Sequence, residues 1–316
     1  MNKKVALVLP YFGSFPNYFQ LFLRSVELNS EFDVLLVTDI ETASINLPGN
    51  VHMVRLSLED IRNRIATLIP APLKLDTAYK LTDCKPLYGV LFERELLGYD
   101  FWGHCDADML FGDLSHFVTD EILNSHDKLF THGHFVLYRN DPRINHLAIE
   151  FHDAPCGLDF AASSDLCCYF DEVGMANIAK LAGLRIYENP AFADITPKVD
   201  ALTLAPICKE KNLPRQRFFW RNGCVVRAAD GISDATEFMY IHLQKRHMEV
   251  HVDVSESAWE VCRHGFYPEG AAPEKEPHAF RNRLVQEGGF QLSRLRRFSL
   301  ERVRLSSAIK SLRASL

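Results

Sequence analysis

No run of apolar residues in this 316-residue chain approaches the roughly 20 needed to cross a bilayer. The first apolar run, Val5 to Leu9, is cut by Pro10 and is expected to be a buried strand, not a signal peptide. A P-loop and a glycine-rich triphosphate loop are both absent, which counts modestly against a nucleotidyltransferase or metal-dependent phosphohydrolase. The eight cysteines have no paired spacing, and Cys167 and Cys168 are adjacent, so neither a disulfide framework nor a zinc ribbon is expected. A reducing, cytoplasmic setting suits such a chain. There is also no internal repeat. Positive charge is scarce over most of the length: from Arg281 to Leu316 nine Lys/Arg face two Glu, a net of +7, so the total of −6 leaves −13 on the rest. An acidic body disfavours nucleic acid, and no nucleic-acid partner is expected.

What is present is enough apolar material, 47% of residues, for one large domain with a small appendage. Lys4 to Leu9 reads as a first parallel strand, followed by the loop Pro10-Tyr-Phe-Gly-Ser-Phe-Pro16. Asn17 to Asn29 carries a helical stripe at Tyr18, Leu21, Phe22, Ser25 and Val26, and Asp33 to Asp39 is a second buried strand. This order predicts a βαβ unit with a ligand crevice beyond the strand carboxyl ends. Val51 to Leu56 reads as a strand, Leu58 to Ile69 as a helix, and Cys84 to Leu97 as a helix with Pro86 in its first turn. Lys128 to Arg139 alternates like one strand, and Glu172 to Ala182 suits a short helix. Short strands are expected at Leu184–Tyr187, Arg217–Trp220, Cys224–Arg227 and Phe238–His242, and a linker over the Pro/Gly-rich residues from Gly265 to Pro277.

The most informative segment is Tyr99-Asp-Phe-Trp-Gly-His-Cys-Asp-Ala-Asp108, which ends an apolar run with two carboxylates one residue apart. In a strand, residues i and i+2 project to one side, so Asp106 and Asp108 can converge on a hard cation. Mg²⁺ or Mn²⁺ held by one or two carboxylates keeps positions open for phosphate oxygens. A solvated strand end gives the same spacing. At the ends of the first two strands, Tyr11, Gly13 and Asp39 could meet a nucleotide, by ring stacking and by a carboxylate on base or ribose donors; packing and turn geometry are the competing roles.

Several motifs in order resemble a known family. P-Y-F-G at 10–13, L-V-T-D at 36–39, Y-K-L-T-D-C-K-P-L-Y-G at 79–89, Y-D-F-W-G-H-C-D-A-D at 99–108, F-G-D-L at 111–114 and Y-I-H-L-Q-K-R at 240–246 look like bacterial polysaccharide-type glycosyltransferases of the GT-A class, many of whose relatives carry only a domain-of-unknown-function label. The resemblance covers roughly residues 4–250. It implies an α/β fold with a Rossmann-type central mixed sheet flanked by helices. It assigns Asp106 and Asp108 to a divalent metal that bridges a donor diphosphate, with His242 completing the metal shell. Lys245 and Arg246 would bind diphosphate oxygens, and Asp83 and Lys85 the donor sugar or phosphate, although Asp83 also suits a helix cap. Asp113 would stabilise a turn or touch sugar or metal water. An inverting transferase needs a carboxylate base, for which Asp171 and Glu172 are the nearest pair; both also suit a first helical turn. His132 and His134 alternate onto one face as a second metal pair, without an acidic partner at ligand spacing.

These readings divide the chain into a catalytic domain over 1–262, a linker over 263–280 and a basic amphipathic helical tail over 281–316. The expected activity is transfer of a hexose, galactose first, in pyranose or furanose form, from a UDP-sugar to a hydroxyl of a lipid-linked surface polysaccharide or lipopolysaccharide, with Mn²⁺ or Mg²⁺. The tail would place the enzyme on the anionic inner face of the membrane. Two competing readings are a nucleotidyltransferase or metal-dependent phosphohydrolase, and a noncatalytic interaction protein.

Overall fold

The computed structural model describes residues 3–43, 45–69, 75–164, 167–199, 201–230 and 235–272. The expected basic tail and the later part of the linker lie outside the described residues. Sixteen strands are found among those described: β1 Val5–Pro10, β2 Phe32–Thr38, β3 Val51–Arg55, β4 Phe101–Cys105, β5 Met109–Phe111, β6 Lys128–Leu129, β7 Phe135–Arg139, β8 Ile186–Tyr187, β9 Ala193–Asp194, β10 Arg217–Arg221, β11 Cys224–Ala228, β12 Thr236–Phe238, β13 Tyr240–His242, β14 Glu249–Val250, β15 Ala258–Val261 and β16 Gly265–Pro268. The architecture is α/β, with mixed sheets and helices.

The largest sheet has the order β3-β2-β1-β4-β7-β6-β8. Its first four strands are parallel, β7 runs antiparallel to β4, and β6 antiparallel to β7. Both faces are covered, and the alternation of β1 shows why a continuous apolar run was needed. Ala6 and Val8 enter one core with Ile61 and Ile65 of α2 (Leu58–Leu68), while Val5, Leu7 and Leu9 enter another with Phe19, Phe22 and Val26 of α1 (Phe19–Glu27). Ser57 caps α2 by accepting from the Asp60 amide, and Asp60 returns the bond, so this helix begins at a capping box. The sheet order reverses between β1 and β4, and a crevice opens where the chain leaves their carboxyl ends.

A six-stranded sheet, β12-β11-β10-β15-β16-β14, forms the second layer. The register Trp220↔Trp259 stacks two indoles at 4.1 Å in its core. Three expectations are corrected here. Gly265–Pro268 is β16, paired with β15, so the sheet continues into the residues read as linker. The alternating stretch 128–139 is two antiparallel strands, because Phe130 at φ +65° breaks the run. The helix expected from Cys84 starts earlier, as a 3₁₀ helix over Ala78–Leu87 that gives way to one α-turn over Tyr88–Leu91; Pro86 inside it has no amide to donate.

The third sheet is short and positions the site: β5-β13-β9, with Met109 opposite His242 and His242 opposite Asp194. The end of α1 fastens it. Ser25 Oγ accepts from the Phe111 amide at 3.0 Å, and Asn29 accepts from Leu114 N and donates to Gly112 O, both at 2.9 Å. Central β4 tolerates no side chain at Gly103, where a Cβ would stand 2.1 Å from the Val136 carbonyl oxygen. Gly103→Ala is therefore expected to destabilise the fold toward the upper end of about 1–3 kcal/mol. Urea unfolding checks this, and an unchanged midpoint would show that β4 and β7 are not packed this closely.

Candidate functional site

β4 ends at Cys105, and the chain bends through Asp106-Ala107-Asp108 before β5 begins. Because Met109 pairs with His242, the bend brings both carboxylates onto one imidazole edge. His242 Nε2 lies 3.3 Å from Asp108 Oδ1 and 3.8 Å from Asp106 Oδ2. The other edge of the ring is fixed by Asp194, whose Oδ1 is 2.8 Å from Nδ1, and Gln244 Nε2 donates to both Asp194 oxygens at 2.7 Å. Asp106, Asp108 and His242 offer ligand atoms within 4.8 Å of one another, and the carboxylate behind the histidine is the arrangement that orients metal-binding imidazoles.

The electrostatics fit a cation at that point. Burial alone would lower His242, yet Asp108, with Asp194 and Asp106, raises it to about 10. Burial alone would raise Asp108, yet His242 and Lys245 hold it down at about 2. Three carboxylates around one ring thus attract positive charge, which without metal is supplied by a proton.

The adjoining cavity has a volume of about 710 Å³, in the range that accepts a small ligand. It is lined by the end of β1 and its loop, including Tyr11, Phe12 and Phe15, by Tyr79 and Lys85 of the 3₁₀ helix, by Asp106 and Asp108, and by Lys245 and Arg246. Tyr11 stacks on Phe15 at 5.1 Å and Phe15 on Phe19 at 4.1 Å. Lys245 Nζ sits over the Tyr79 ring at 3.9 Å, and its amide donates to Asp108. Arg246 donates through Nη2 to the Thr196 and Val199 carbonyls, at 3.2 and 3.0 Å.

Lys85 joins the cavity to a second group of acids. Its ammonium is 2.9 Å from Asp106, 3.7 Å from Asp171 and 2.6 Å from the Gly133 carbonyl. Burial opposes its charge, but the two carboxylates hold its pKa above the usual lysine value. Asp171 gains less from the pair because Asp106 is nearer: burial pushes its carboxyl up to about 7 against the pull of Lys85, with repulsion from Glu172 and Asp106 added. Glu172 Oε1 accepts from the Gly133 amide at 3.1 Å.

The structure thus brings Asp106, Asp108, His242, Lys85, Tyr11, Lys245 and Arg246 to one place. It separates others. Asp83 is fully buried, ion-paired with Lys80 at 2.8 Å, and accepts from the amides of Cys168 and Phe170, so its oxygens are consumed inside the protein and do not line the cavity. Asp39 is exposed at the end of β2 and Gly13 takes φ +100° in the loop; neither lines the cavity. Asp171 and Glu172 stand behind Lys85, not on the cavity wall. Asp113 caps the turn Leu114–Phe117 by accepting from His116 N, its structural role. His134 finds the acidic partner missing from the sequence reading, Asp194, while His132 stacks on His134 at 5.8 Å outside that group. Asp194, Tyr79 and Gly133 were not anticipated. Asp194 lies 48 residues from His242 on a two-residue strand, so no local pattern marks it.

Gly133 sets how closely the acids approach, since a Cβ there would lie 2.2 Å from Asp171 Oδ2. Gly133→Ala is expected to keep the fold and push Asp171 toward solvent. Its carboxyl pKa should then fall from about 7 toward the ordinary value near 4 in a carbon-13 NMR titration. An unaltered titration would show that this contact does not hold Asp171 in its buried position.

No curated protein matches the chain. Residues 7–269 match the model of a family described as a family of unknown function, DUF6625, and the chain belongs to that family.

Proposed function

We propose that the protein is a metal-dependent glycosyltransferase of the GT-A type, moving a hexose from a UDP-sugar to a hydroxyl of a surface glycan. The observation that carries this reading is the convergence of Asp106, Asp108 and His242 at the reversal point of the large sheet, beside a cavity lined by aromatic rings and by Lys85, Lys245 and Arg246. Asp106, Asp108 and His242 would hold Mn²⁺ or Mg²⁺, which when bound supplies Lewis-acid stabilisation to a departing diphosphate. Tyr11, backed by the stacked rings of Phe15 and Phe19, offers a ring face for the base. Lys245 is placed to leave Tyr79 for a phosphate oxygen, and Lys85 to neutralise charge beside Asp106. Asp171, with Glu172 beside it, is the proposed acceptor base; it lies behind Lys85, so this role requires Lys85 to swing toward the diphosphate and uncover it. Galactose in pyranose or furanose form is the first donor to try. A lipid-linked acceptor fits the cationic segment 281–316, which would attract the chain to the anionic inner face of the membrane.

The test is release of UDP from a panel of UDP-hexoses with Mn²⁺. Slow hydrolysis without acceptor is expected for one donor, abolished by EDTA and lowered at least about 100-fold in Asp106→Asn and Asp108→Asn. Release of pyrophosphate or orthophosphate in its place, or no turnover of any UDP-sugar, would contradict the reading.

If Asp171 is the base, it must be ionised to accept a proton. Because its folded pKa is raised to about 7, kcat/KM for transfer should fall as pH drops below 7 and level off above it. Asp171→Asn should lose about 10²–10⁴-fold, and Glu172→Gln much less. A profile flat through pH 7, or the reverse ranking of the variants, would remove Asp171 from this role.

A further inference from the structure

His242 also belongs to a second group of potential ligands, with Asp194 at its Nδ1 edge, that shares only this histidine with the cavity-side site. His134, Asp194 and His242 each offer a ligand atom within 4.8 Å of the others, and all three are buried. His134 precedes β7, and its ring centroid is 4.9 Å from that of His242 at an interplanar angle of 38°. Its Nδ1 pairs with the Tyr240 hydroxyl at 2.7 Å, while Nε2 is buried with no hydrogen-bond partner among the described residues. Most buried polar side-chain atoms are satisfied in folded proteins. The ring nitrogens of His104 are also without a hydrogen-bond partner among the described residues, but only His134 stands in a group of potential metal ligands, which points to a cation.

We propose that His134, Asp194 and His242 form a closed second cation site, suited to a borderline transition ion such as Zn²⁺, which competes with the cavity-side site for His242. Two imidazoles and one carboxylate are a donor set that Zn²⁺ favours, with water completing four ligands, whereas the oxygen-rich pair Asp106 and Asp108 favours Mg²⁺ or Mn²⁺. Tetrahedral zinc bonds of about 2.0–2.2 Å place neighbouring donors about 3.3–3.6 Å apart. The 2.8 Å contact between His242 Nδ1 and Asp194 would widen, and the longer separations, up to 4.8 Å, would close by side-chain rotation. Outer hydrogen-bond partners are already in place: with zinc on Nε2 the His134 Nδ1–H would donate to the Tyr240 hydroxyl, and Gln244 donates to Asp194. His242 faces the cavity-side carboxylates with Nε2 and Asp194 with Nδ1. A neutral imidazole has a single free lone pair, so the ring serves one position at a time. The competition depends on the cavity-side metal site but not on which nucleotide, if any, that site accepts.

Co²⁺ serves as the spectroscopic stand-in for Zn²⁺ on the full-length protein. The expected result is an intense four-coordinate d–d absorption, displaced by Zn²⁺ and not by Mg²⁺, and two contact-shifted imidazole N–H signals in the proton NMR spectrum. The band should persist in the double variant Asp106→Asn/Asp108→Asn and vanish in His134→Gln, whose Zn²⁺ affinity should drop at least tenfold. Zn²⁺ should weaken Mn²⁺ binding by the wild type at least tenfold. A weak six-coordinate band, a single imidazole N–H, or a band that needs Asp106 and Asp108 but not His134 would overturn the site. The imidazole count is taken on the wild type, so it decides the matter even if His134→Gln fails to fold. Absence of UDP binding would leave these results unchanged.

Discussion

One pairing register holds the site together. In the three-stranded sheet, β13 places His242 opposite Met109 on one side and Asp194 on the other, so a single strand position fixes the histidine between three carboxylates from separate parts of the chain. A shift of one residue would turn the ring to the opposite face and dissolve the group. The sheet is too short to stand alone, and α1 secures it through Ser25 and Asn29, which engage Phe111, Gly112 and Leu114. The apolar stripe of α1 thus serves the site as well as the core, because it carries these two polar residues to the strand that follows the acidic bend.

A second constraint lies beneath the cavity, where buried charge is arranged in pairs. Lys80 and Asp83 neutralise each other within the fold, and Asp83 accepts the amides of Cys168 and Phe170, just before Asp171. From the same 3₁₀ helix, Lys85 reaches Asp106 and Asp171. One short helix therefore supplies an internal clamp and a cation at the cavity, and the two acids it links come from the bend after β4 and from the π-helical turn Phe170–Gly174. Breaking such a pair leaves a buried charge unmatched, which is why these positions constrain geometry more than they add stability.

Much of this was legible in the sequence. The βαβ opening followed from two apolar runs flanking a helical stripe, and the crevice from where those runs end. Asp106 and Asp108 stood out because i, i+2 spacing at a strand end implies convergence, whereas His242, a lone histidine in a short strand, was singled out only by the resemblance of Y-I-H-L-Q-K-R at 240–246. What was hidden depends on distant pairing. Asp194 occupies a strand of two residues that exists only because β13 lies beside it. Asp83 carried the same local signature as a ligand-binding acid, and only the fold shows that Lys80 and two remote amides consume it. The turn at Phe130 was masked by alternating residue types on both sides, and β16 by a composition that reads as linker. Local pattern gave the strand ends and their acids; tertiary packing decided which acids face the cavity.

The central claim is that Asp106, Asp108 and His242 hold a divalent cation that in turn holds a nucleoside diphosphate. Calorimetric titration of UDP into the wild-type protein, with Mn²⁺ and again with EDTA, tests it most directly. The account predicts saturable UDP binding that requires Mn²⁺ and weakens at least about tenfold in Asp108→Asn with the fold intact. UDP binding of equal strength in EDTA, or none by a folded, Mn²⁺-loaded protein, would contradict it.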